Sequence, residues 1–323
     1  MPLTTYRRAF LIYNPFAGGL RRRRHALKRS LDLLAGHGME VEALPTTGPR
    51  AAAEIVRGLA DRGADLILVA GGDGTINEVV NGMVHSPIPL AILPAGTANV
   101  LANELGLGKT MERAAETLTH CVPERVALGL LSTAAEETPR HFLLMAGAGL
   151  DADIVYGLNQ RLKDRLGKVA YWLAGWSKLG RKLPEFRVTV DGRDYESSFA
   201  LVSRVRNYGG DLEIAPSISL LDEEFEVVLF EGASSMPYVK YMLGTLTRRL
   251  EGMRGVTILR ATKAVFHASA HGDVHVQVDG EYVGLAPGRV ELVPSALTLL
   301  VPPNFRARRP ARVDDAWTTS PTR

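Results

Sequence analysis

The sequence is poor in cysteine and in long apolar runs. Its one cysteine, Cys121, cannot form an internal disulfide, which excludes a disulfide-stabilised secreted scaffold. The longest apolar runs, such as Leu66–Ala70 and Leu297–Val301, have the length of strands and fall far short of the ~20 residues that span a bilayer. The first residues contain no apolar signal region with a small-residue cleavage site. We therefore expect a chain that works in a reducing cytoplasm.

The excess of positive charge is small. The formal net charge is +3 over 323 residues, of which 46% are hydrophobic and 23% charged, which excludes a disordered or fibrous chain and leaves room for two domains. The basic residues are nevertheless grouped, at Arg21–Arg24, Arg161–Lys168, Lys178–Lys182 and Arg306–Arg312. Such groups suit anionic lipid headgroups or nucleic acid, and they equally fit solvated helix faces and a frayed tail.

The N-terminal third alternates short apolar strands with amphipathic helices. Strands are predicted at 9–13, 40–44, 65–70 and 90–93, with helices at about 20–37 and 50–62. This alternation is typical of βαβ units in a parallel, Rossmann-like sheet. Ligands of such open α/β sheets bind at the carboxyl ends of the strands. The turns that follow these strands are therefore the candidate site.

After residue 124 the pattern changes to short strands with frequent turns. Strands are predicted at 125–131, 141–146, 186–190, 199–205, 225–229, 256–260, 264–268, 274–278 and 289–293. They indicate a mostly antiparallel β-sandwich. The sequence thus predicts an α/β domain at 1–124 and a sandwich domain at 125–303, with a helical insert near 152–183 and a disordered tail at 304–323.

The run Gly71-Gly72-Asp73-Gly74-Thr75-Ile76-Asn77-Glu78 carries the strongest functional signal. It follows a buried strand and opens an amphipathic helix, so its backbone N–H groups lie at the positive end of a helix dipole, where phosphate binds readily. Three glycines let the backbone approach a ligand closely, whereas an ordinary βα turn needs one. A carboxylate among phosphates would repel them unless a divalent cation lay between, so Asp73 indicates a magnesium-bound nucleotide.

Two further glycine-bearing turns follow strands of the same sheet. They are Asn14-Pro15-Phe16-Ala17-Gly18-Gly19 and Pro94-Ala95-Gly96-Thr97-Ala98-Asn99. Each alone is a weak signal, but turns at the carboxyl ends of neighbouring parallel strands can converge on one ligand. Gly147, Gly149 and Asp151 fit either another such loop or a strand end followed by a helix cap at Asp151.

Asp279-Gly280-Glu281 separates two short strand patterns, and an Asp-Gly pair at such a place is first of all a hairpin signal. A carboxylate from the second domain that faces phosphates held by the first would also suit the deprotonation of a hydroxyl. Spacing alone leaves both interpretations of Glu281 open.

Together these motifs resemble the diacylglycerol kinase catalytic family, which includes bacterial lipid kinases and sphingosine and ceramide kinases. The GGDGT loop is shared with NAD kinases and phosphofructokinases, so the specificity lies in the combination of NPxxGG, GGDGTINEVVNG, PAGTAN, GAGLDA and VDGE over about residues 8–302. The resemblance implies ATP and Mg²⁺ in a cleft between the two domains. It also implies a lipid acceptor at the inner membrane surface and no nucleic acid partner; a second copy of the chain is a further candidate partner.

The resemblance assigns roles residue by residue. The implied nucleotide-binding positions are Asn14, Thr46, Gly71, Gly72, Asp73, Gly74, Thr75, Ile76, Asn77 and Thr97. Thr47 replaces Thr46 if the register shifts by one. Glu281 falls on the position of the catalytic base, while Asp73 organises Mg²⁺ and the triphosphate.

A later run, APSISLLDEEF, resembles the family stretch P-x-A-x-x-x-D-G-x-L that supplies a metal site, with Ser219, Asp222 and Glu224 at the matching positions. The chain departs from the family here, because Asp222 is followed by glutamate instead of glycine. It also has Val100 and Ala127 where relatives commonly have aspartate. Both changes remove carboxylates from the phosphate side of the site.

Two other functions stay open. A NAD kinase shares the glycine loop and the two-domain plan but phosphorylates a soluble nucleotide, and the PAGTAN and VDGE motifs argue against it. A non-catalytic lipid or nucleotide sensor would explain the carboxylates missing at 100 and 127, although Asp73 and Glu281 are retained. The acceptor lipid is equally open, among diacylglycerol, monoacylglycerol, ceramide, a sphingoid base and phosphatidylglycerol.

Overall fold

The computed structural model describes residues 6–15, 20, 24–136, 138–157, 182–209, 212–234 and 237–307. The helices are α1 Arg24–Gly36, α2 Ala51–Arg57, α3 Asp73–Met83, α4 Val100–Leu105, α5 Met111–Leu118, α6 Leu150–Gly157, α7 Pro237–Leu246 and α8 Pro303–Ala307. The strands are β1 Arg8–Tyr13, β2 Glu40–Pro45, β3 Leu66–Gly71, β4 Leu90–Pro94, β5 Val122–Thr133, β6 Arg140–Phe142, β7 Met145–Gly149, β8 Phe186–Val190, β9 Arg193–Ser197, β10 Phe199–Ser203, β11 Asn207–Tyr208, β12 Leu212–Glu213, β13 Phe225–Phe230, β14 Val256–Ala261, β15 Lys263–Phe266, β16 His275–Val278, β17 Glu281–Leu285 and β18 Gly288–Val301. Within the described ranges, no helix is both long and apolar enough to cross a bilayer.

The N-terminal sheet is parallel, with its strands in the order β2-β1-β3-β4. β3 and β4 are buried along their whole length, as apolar strands of a parallel sheet are when helices cover both faces. Tyr13 is paired with Pro45 on one side and Ala70 on the other, and Gly71 with Pro94. All four carboxyl ends therefore meet at one edge, and the predicted α/β fold is confirmed.

β18 carries this sheet into the C-terminal half. Near its end it pairs in parallel with β4, and along its length it pairs antiparallel with β5 and β15. The result is a ten-stranded sheet that also contains β6, β8 and β9. The sheet crosses residue 124, where the sequence predicts a domain boundary, and the position of that boundary stays a prediction.

A second, six-stranded antiparallel sheet has the order β14-β13-β10-β7-β16-β17. Its inner face packs on the C-terminal part of the first sheet: Phe142 and Val188 of one sheet share a core cluster with Phe225 and Val276 of the other. The rings of Phe142 and Phe225 stack with centroids 5.9 Å apart. The predicted mostly antiparallel sandwich is confirmed.

Some predicted elements need correction. The strand predicted at 141–146 is two strands, β6 and β7, because the N–H groups of Leu143 and Leu144 between them donate to the Asp279 carboxylate. The tail predicted from residue 304 begins with α8, whose Phe305 is buried in the main core. β9, which is highly charged, and α7 were not predicted at all.

Several predictions fall outside the described residues. They are most of the helical insert at 152–183, the tail beyond residue 307, the basic groups at 21–23, 161–168 and 178–181, residues 16–19 of the first glycine turn, and the side chain of Asp151. Helix α6, which starts at Leu150, does follow the GAG strand directly.

Candidate active site

The carboxyl edge of the parallel sheet brings the first predicted residues together. Asn14 follows β1 and Thr46 follows β2, and the N–H of Thr46 donates to the Tyr13 carbonyl at 2.9 Å. The N–H of Asn14 donates to the Ala70 carbonyl at 3.4 Å, one residue before the glycine loop. Thr46 is buried and Thr47 is exposed. Both threonines therefore lie at the predicted edge, and only their exposure distinguishes them.

Helix α3 begins inside the glycine-rich motif, at Asp73, and Gly72 precedes it in an extended conformation without a capping side chain. The first N–H groups of the helix therefore face the strand edge, where an anion can bind to them.

Ile76 is an exception among the predicted ligand-binding residues. Its N–H donates to the Gly72 carbonyl at 3.1 Å, and its side chain is buried in the core. Ile76 thus has neither group available for a nucleotide.

The second glycine loop lies directly against the first. A Cβ placed on Gly96 would be 2.4 Å from the Cα of Gly72, so this contact requires glycine. Asn99, which has a left-handed φ of 49°, closes the loop: its side chain accepts from the Gly96 N–H at 2.8 Å and donates to the Gly96 carbonyl at 3.1 Å. Thr97 is exposed at the tip. The two loops form one surface, as the sequence predicts.

The Asp73 side chain joins these two loops. One carboxylate oxygen accepts the Val100 N–H at 3.1 Å and the other accepts the Leu101 N–H at 3.3 Å, so Asp73 caps the start of α4. Burial raises the pKa of Asp73 above its ordinary value, and the backbone hydrogen bonds partly offset this effect. The structure therefore gives Asp73 a role in ordering the two glycine loops, while its predicted role with Mg²⁺ stays a prediction.

Asp279 and Gly280 form the turn of the hairpin between β16 and β17, with left-handed φ values of 47° and 81°. The hairpin interpretation of the Asp-Gly pair is therefore correct. The Asp279 carboxylate accepts three N–H groups, from Leu143 at 3.3 Å, Leu144 at 3.1 Å and Met145 at 2.8 Å. Burial raises its pKa to about 7.

A side-chain hydrogen bond connects this hairpin to the glycine-loop helix. Asn77 is buried on α3 and its amide donates to the Asp279 carboxylate at 2.7 Å and to the His141 carbonyl at 3.0 Å. The Asn77 amide thus joins the two halves of the protein, and its predicted contact with a nucleotide stays a prediction.

Glu281 is the first residue of β17 and its carboxylate lies against the glycine loop. A Cβ placed on Gly74 would be 2.8 Å from Oε1 of Glu281. The other oxygen, Oε2, accepts a hydrogen bond from the Arg140 guanidinium, which also lies 4.0 Å from Glu136. The Glu281 side chain is 44% exposed and so accessible to a substrate. The structure thus brings together Glu281 and the loop, the two features that the sequence placed 207 positions apart, from 74 to 281.

A cleft opens beside this pair, between the glycine loops and the second sheet. Its empty volume, counted to the solvent at its mouth, is about 510 Å³. The lining residues are Asp73, Ala98, Val100, Leu144, Met145, Tyr208, Gly209, Gln277, Asp279 and Gly280. The lining combines the apolar side chains of Ala98, Val100, Leu144 and Met145 with the polar ones of Asp73, Gln277 and Asp279.

Two of the three predicted metal ligands lie beside an arginine. The Asp222 carboxylate accepts from the Ser219 N–H at 3.0 Å and from the Arg260 guanidinium at 3.1 Å. The Glu224 carboxylate lies 3.9 Å from the same guanidinium. Among the residues that the structure describes, no three His, Cys, Asp or Glu side chains are grouped to hold a metal ion. Asp222 and Glu224 therefore face a cation of the protein, and Ser219 contacts Asp222; a metal ion at these three residues stays a prediction.

The sequence interpretation missed Arg140 and the acceptor role of Asp279. A hairpin turn requires only a residue that tolerates positive φ, so a buried carboxylate that binds other segments leaves no additional pattern at that position. Arg140 is the first residue of a strand of only three residues, which is too short to give a periodic signal. Both roles depend on contacts between residues more than 130 positions apart.

Known protein families match both halves of the chain. The family model described as the diacylglycerol kinase catalytic domain matches residues 8–131, and that described as the YegS C-terminal NAD kinase beta sandwich-like domain matches residues 145–301. The chain is 30% identical over 288 residues to a diacylglycerol kinase of Bacillus subtilis (strain 168), covering 87% of this chain and 92% of the relative. It is 29% identical to a diacylglycerol kinase of Staphylococcus saprophyticus over 87% of this chain and 91% of the relative.

Solved structures share the fold. One from Bacillus anthracis str. Sterne superimposes with a TM-score of 0.79 at 23% identity, over 93% of this chain and 97% of that one. Another from the same organism, titled a diacylglycerol kinase, gives 0.74 at 23% identity over 92% and 98%. With both domain models matched in order and a 30% identical relative covered almost end to end, the chain belongs to the diacylglycerol kinase catalytic-domain family.

Proposed function

We propose that this protein transfers the γ-phosphate of Mg·ATP to a hydroxyl group of a membrane lipid. The observation that carries the proposal is the contact between the Glu281 carboxylate and the glycine loop at Gly74. A phosphate-binding loop and a general base must lie within reach of the same reacting atoms for phosphoryl transfer to an alcohol. Here they come from opposite ends of the chain.

Each residue of the site has a separate role in the proposed phosphoryl transfer. Backbone N–H groups of Gly72 to Thr75 bind phosphate oxygens at the start of α3. Glu281 accepts the proton of the acceptor hydroxyl while the oxygen of that hydroxyl bonds to the γ-phosphorus. The bond between this phosphorus and the ADP oxygen breaks at the same time, and ADP leaves. Arg140 holds the Glu281 carboxylate in place. A Mg²⁺ ion bound to the triphosphate would neutralise part of its charge. Asp73 would be the acidic side chain of the loop that helps to hold it, and both of its oxygens already accept backbone N–H groups.

A lipid acceptor is favoured by the chemistry of the cleft and by the relatives. Apolar side chains such as Val100, Leu144 and Met145 line the cleft next to the loop, which suits an acyl or sphingoid chain better than a second nucleotide. The relatives described above are diacylglycerol kinases by name. We further propose that the protein reaches its substrate by peripheral binding to the inner face of the membrane.

The test is transfer of labelled γ-phosphate from Mg·ATP to a panel of lipids in vesicles, with NAD as the soluble control acceptor. The panel contains diacylglycerol, monoacylglycerol, ceramide, a sphingoid base and phosphatidylglycerol. We expect label on one lipid class, lost in Glu281→Gln and kept in Glu40→Gln. Glu40 is a matched control because it is exposed at the opposite, amino end of its strand. Label on NAD, or on no acceptor, would contradict the proposal.

A further inference from the structure

The loop before β13 is built around a fully buried guanidinium. Arg204, which follows β10, is 0% exposed. Its Nη1 donates to the backbone carbonyls of Asp222 and Glu224, both at 2.6 Å. Its Nη2 donates to the carbonyl of Leu220 at 2.8 Å and, more weakly, to that of Ala127 at 3.4 Å. Four carbonyl oxygens thus converge on one cation.

A convergence of carbonyl oxygens is the environment that hard metal ions such as Mg²⁺ or Ca²⁺ require. A guanidinium can take the same place because it is planar, carries five donors and is weakly hydrated. Burial lowers the pKa of Arg204 to about 10, which still leaves it charged at neutral pH. The interior of the loop therefore already contains a positive charge with oxygen partners.

Arg260 supplies a second cation at the rim of the same loop. It lies on β14 and donates to the Asp222 carboxylate at 3.1 Å and to the Ser217 carbonyl. Its cross-strand partner is Glu226, whose carboxylate accepts the Ser217 N–H at 3.0 Å. Asp222, Glu224 and Glu226 thus place three carboxylates beside Arg260 and the buried Arg204.

We propose that Arg204 and Arg260 replace the metal ion that the family resemblance implies at Ser219, Asp222 and Glu224, so that the loop is held by cations of the chain itself. The donors do not fit a bound metal, because the Asp222 carboxylate already faces a guanidinium. This inference rests on the proposed function in one respect: the kinase would need Mg²⁺ only as the counter-ion of its nucleotide.

The position of the loop affects the cleft through the segment after Arg204. Arg206 and Asn207 bind the buried carboxylate of Glu104, at 3.2 Å and 3.0 Å. Glu104 lies on α4, whose first N–H groups bind Asp73. The next residue, Tyr208, lines the cleft. An internal cation therefore fixes one wall of the cleft without a metal ion.

The test measures metal binding and stability without nucleotide. Arg204→Met is expected to unfold the chain, so Arg260→Met is the informative variant and Arg289→Met, an exposed arginine paired with Glu291, is its matched control. Mn²⁺ binding is followed by electron paramagnetic resonance, and the unfolding midpoint is compared in EDTA and in millimolar Mg²⁺. Asp222→Asn tests whether any Mn²⁺ site that is detected lies in this loop.

We expect the wild type and Arg289→Met to bind no Mn²⁺ tightly and to unfold at the same temperature with and without Mg²⁺. Arg260→Met should unfold about 3 °C lower than the wild type, in EDTA and in Mg²⁺ alike, because Arg204 still occupies the carbonyl oxygens. A wild-type Mn²⁺ site that disappears in Asp222→Asn would overturn the proposal, as would an Arg260→Met variant that unfolds at the same temperature as Arg289→Met. Failure of the wild type to phosphorylate any lipid would contradict the proposed function, but it would not change the expected Mn²⁺ binding or unfolding midpoints.

Discussion

The side-chain amide of Asn77 donates to the carboxylate of Asp279 at 2.7 Å across 202 positions of sequence. Asn77 lies one turn after the start of the glycine-loop helix, and Asp279 lies two residues before Glu281. This hydrogen bond therefore sets the distance between the phosphate loop and the proposed base.

Replacing Asn77 should disturb both stability and turnover. Asn77→Ala leaves the partly buried Asp279 carboxylate without one donor, which should cost about 1–3 kcal/mol of unfolding free energy, and should lower kcat about tenfold because the base shifts. Asn77→Asp should lower the free energy of unfolding and kcat further than Asn77→Ala at alkaline pH, because the carboxylates of residues 77 and 279 then repel each other. Urea unfolding and steady-state kinetics check this; an Asn77→Ala enzyme with wild-type kcat would show that the hairpin is positioned otherwise.

The raised pKa of Asp279 predicts a pH dependence of stability. Its pKa is about 7 in the folded chain, against an ordinary value of 3.8. Between pH 3.8 and pH 7, Asp279 is protonated in the folded state and ionised in the unfolded chain. Its contribution to the free energy of unfolding is therefore full below pH 3.8 and is lost as the pH rises to 7. The limiting slope is ~1.4 kcal/mol per pH unit. Urea unfolding from pH 4 to 7 should show this decline in the wild type relative to Asp279→Asn; parallel curves would contradict it.

Arg140 should act as a positioning residue for Glu281. Arg140→Met should lower kcat by about 10²-fold with little change in the KM for ATP, and Arg140→Lys should recover part of the loss, because a cation remains beside the carboxylate. Arg187→Met, which removes an exposed partner of Asp194, is the control and should behave like the wild type. Equal losses in Arg140→Met and Arg140→Lys, or a change confined to KM, would argue against a role in holding the base.

The two threonines at the end of β2 can be distinguished by kinetics. Thr46→Val keeps the shape of a buried side chain and removes its hydroxyl. If that hydroxyl contacts the nucleotide, the KM for ATP should rise roughly fivefold, equivalent to ~1 kcal/mol, with kcat retained. Thr47→Val at the exposed neighbour should have no effect. The reverse pattern would assign the contact to Thr47.

The sequence predicted the fold class and the two glycine loops at Gly71 and Gly96 because these depend on local patterns. Apolar runs of strand length, glycine turns and helical periodicity each occupy a short window, and the edge at which Asn14, Thr46 and Gly71 meet follows from the parallel strand order. The family resemblance placed Glu281, and the structure brings it to Gly74.

Contacts between distant segments could not be predicted in the same way. The bond from Asn77 to Asp279, the pairing of Arg140 with Glu281 and the burial of Arg204 each join segments that have no common pattern in the sequence. The run that resembles a metal site shows the difficulty most clearly, since its acidic residues are retained while their partner is an arginine 38 positions away from Asp222.

The central claim is that Glu281 is the general base, and the most direct measurement compares ATP binding and phosphoryl transfer in Glu281→Gln. The account predicts that lipid phosphorylation falls by about 10²–10⁴-fold while the Kd for Mg·ATP stays close to that of the wild type, because the phosphate loop is intact. Turnover near the wild-type rate in Glu281→Gln would contradict the claim.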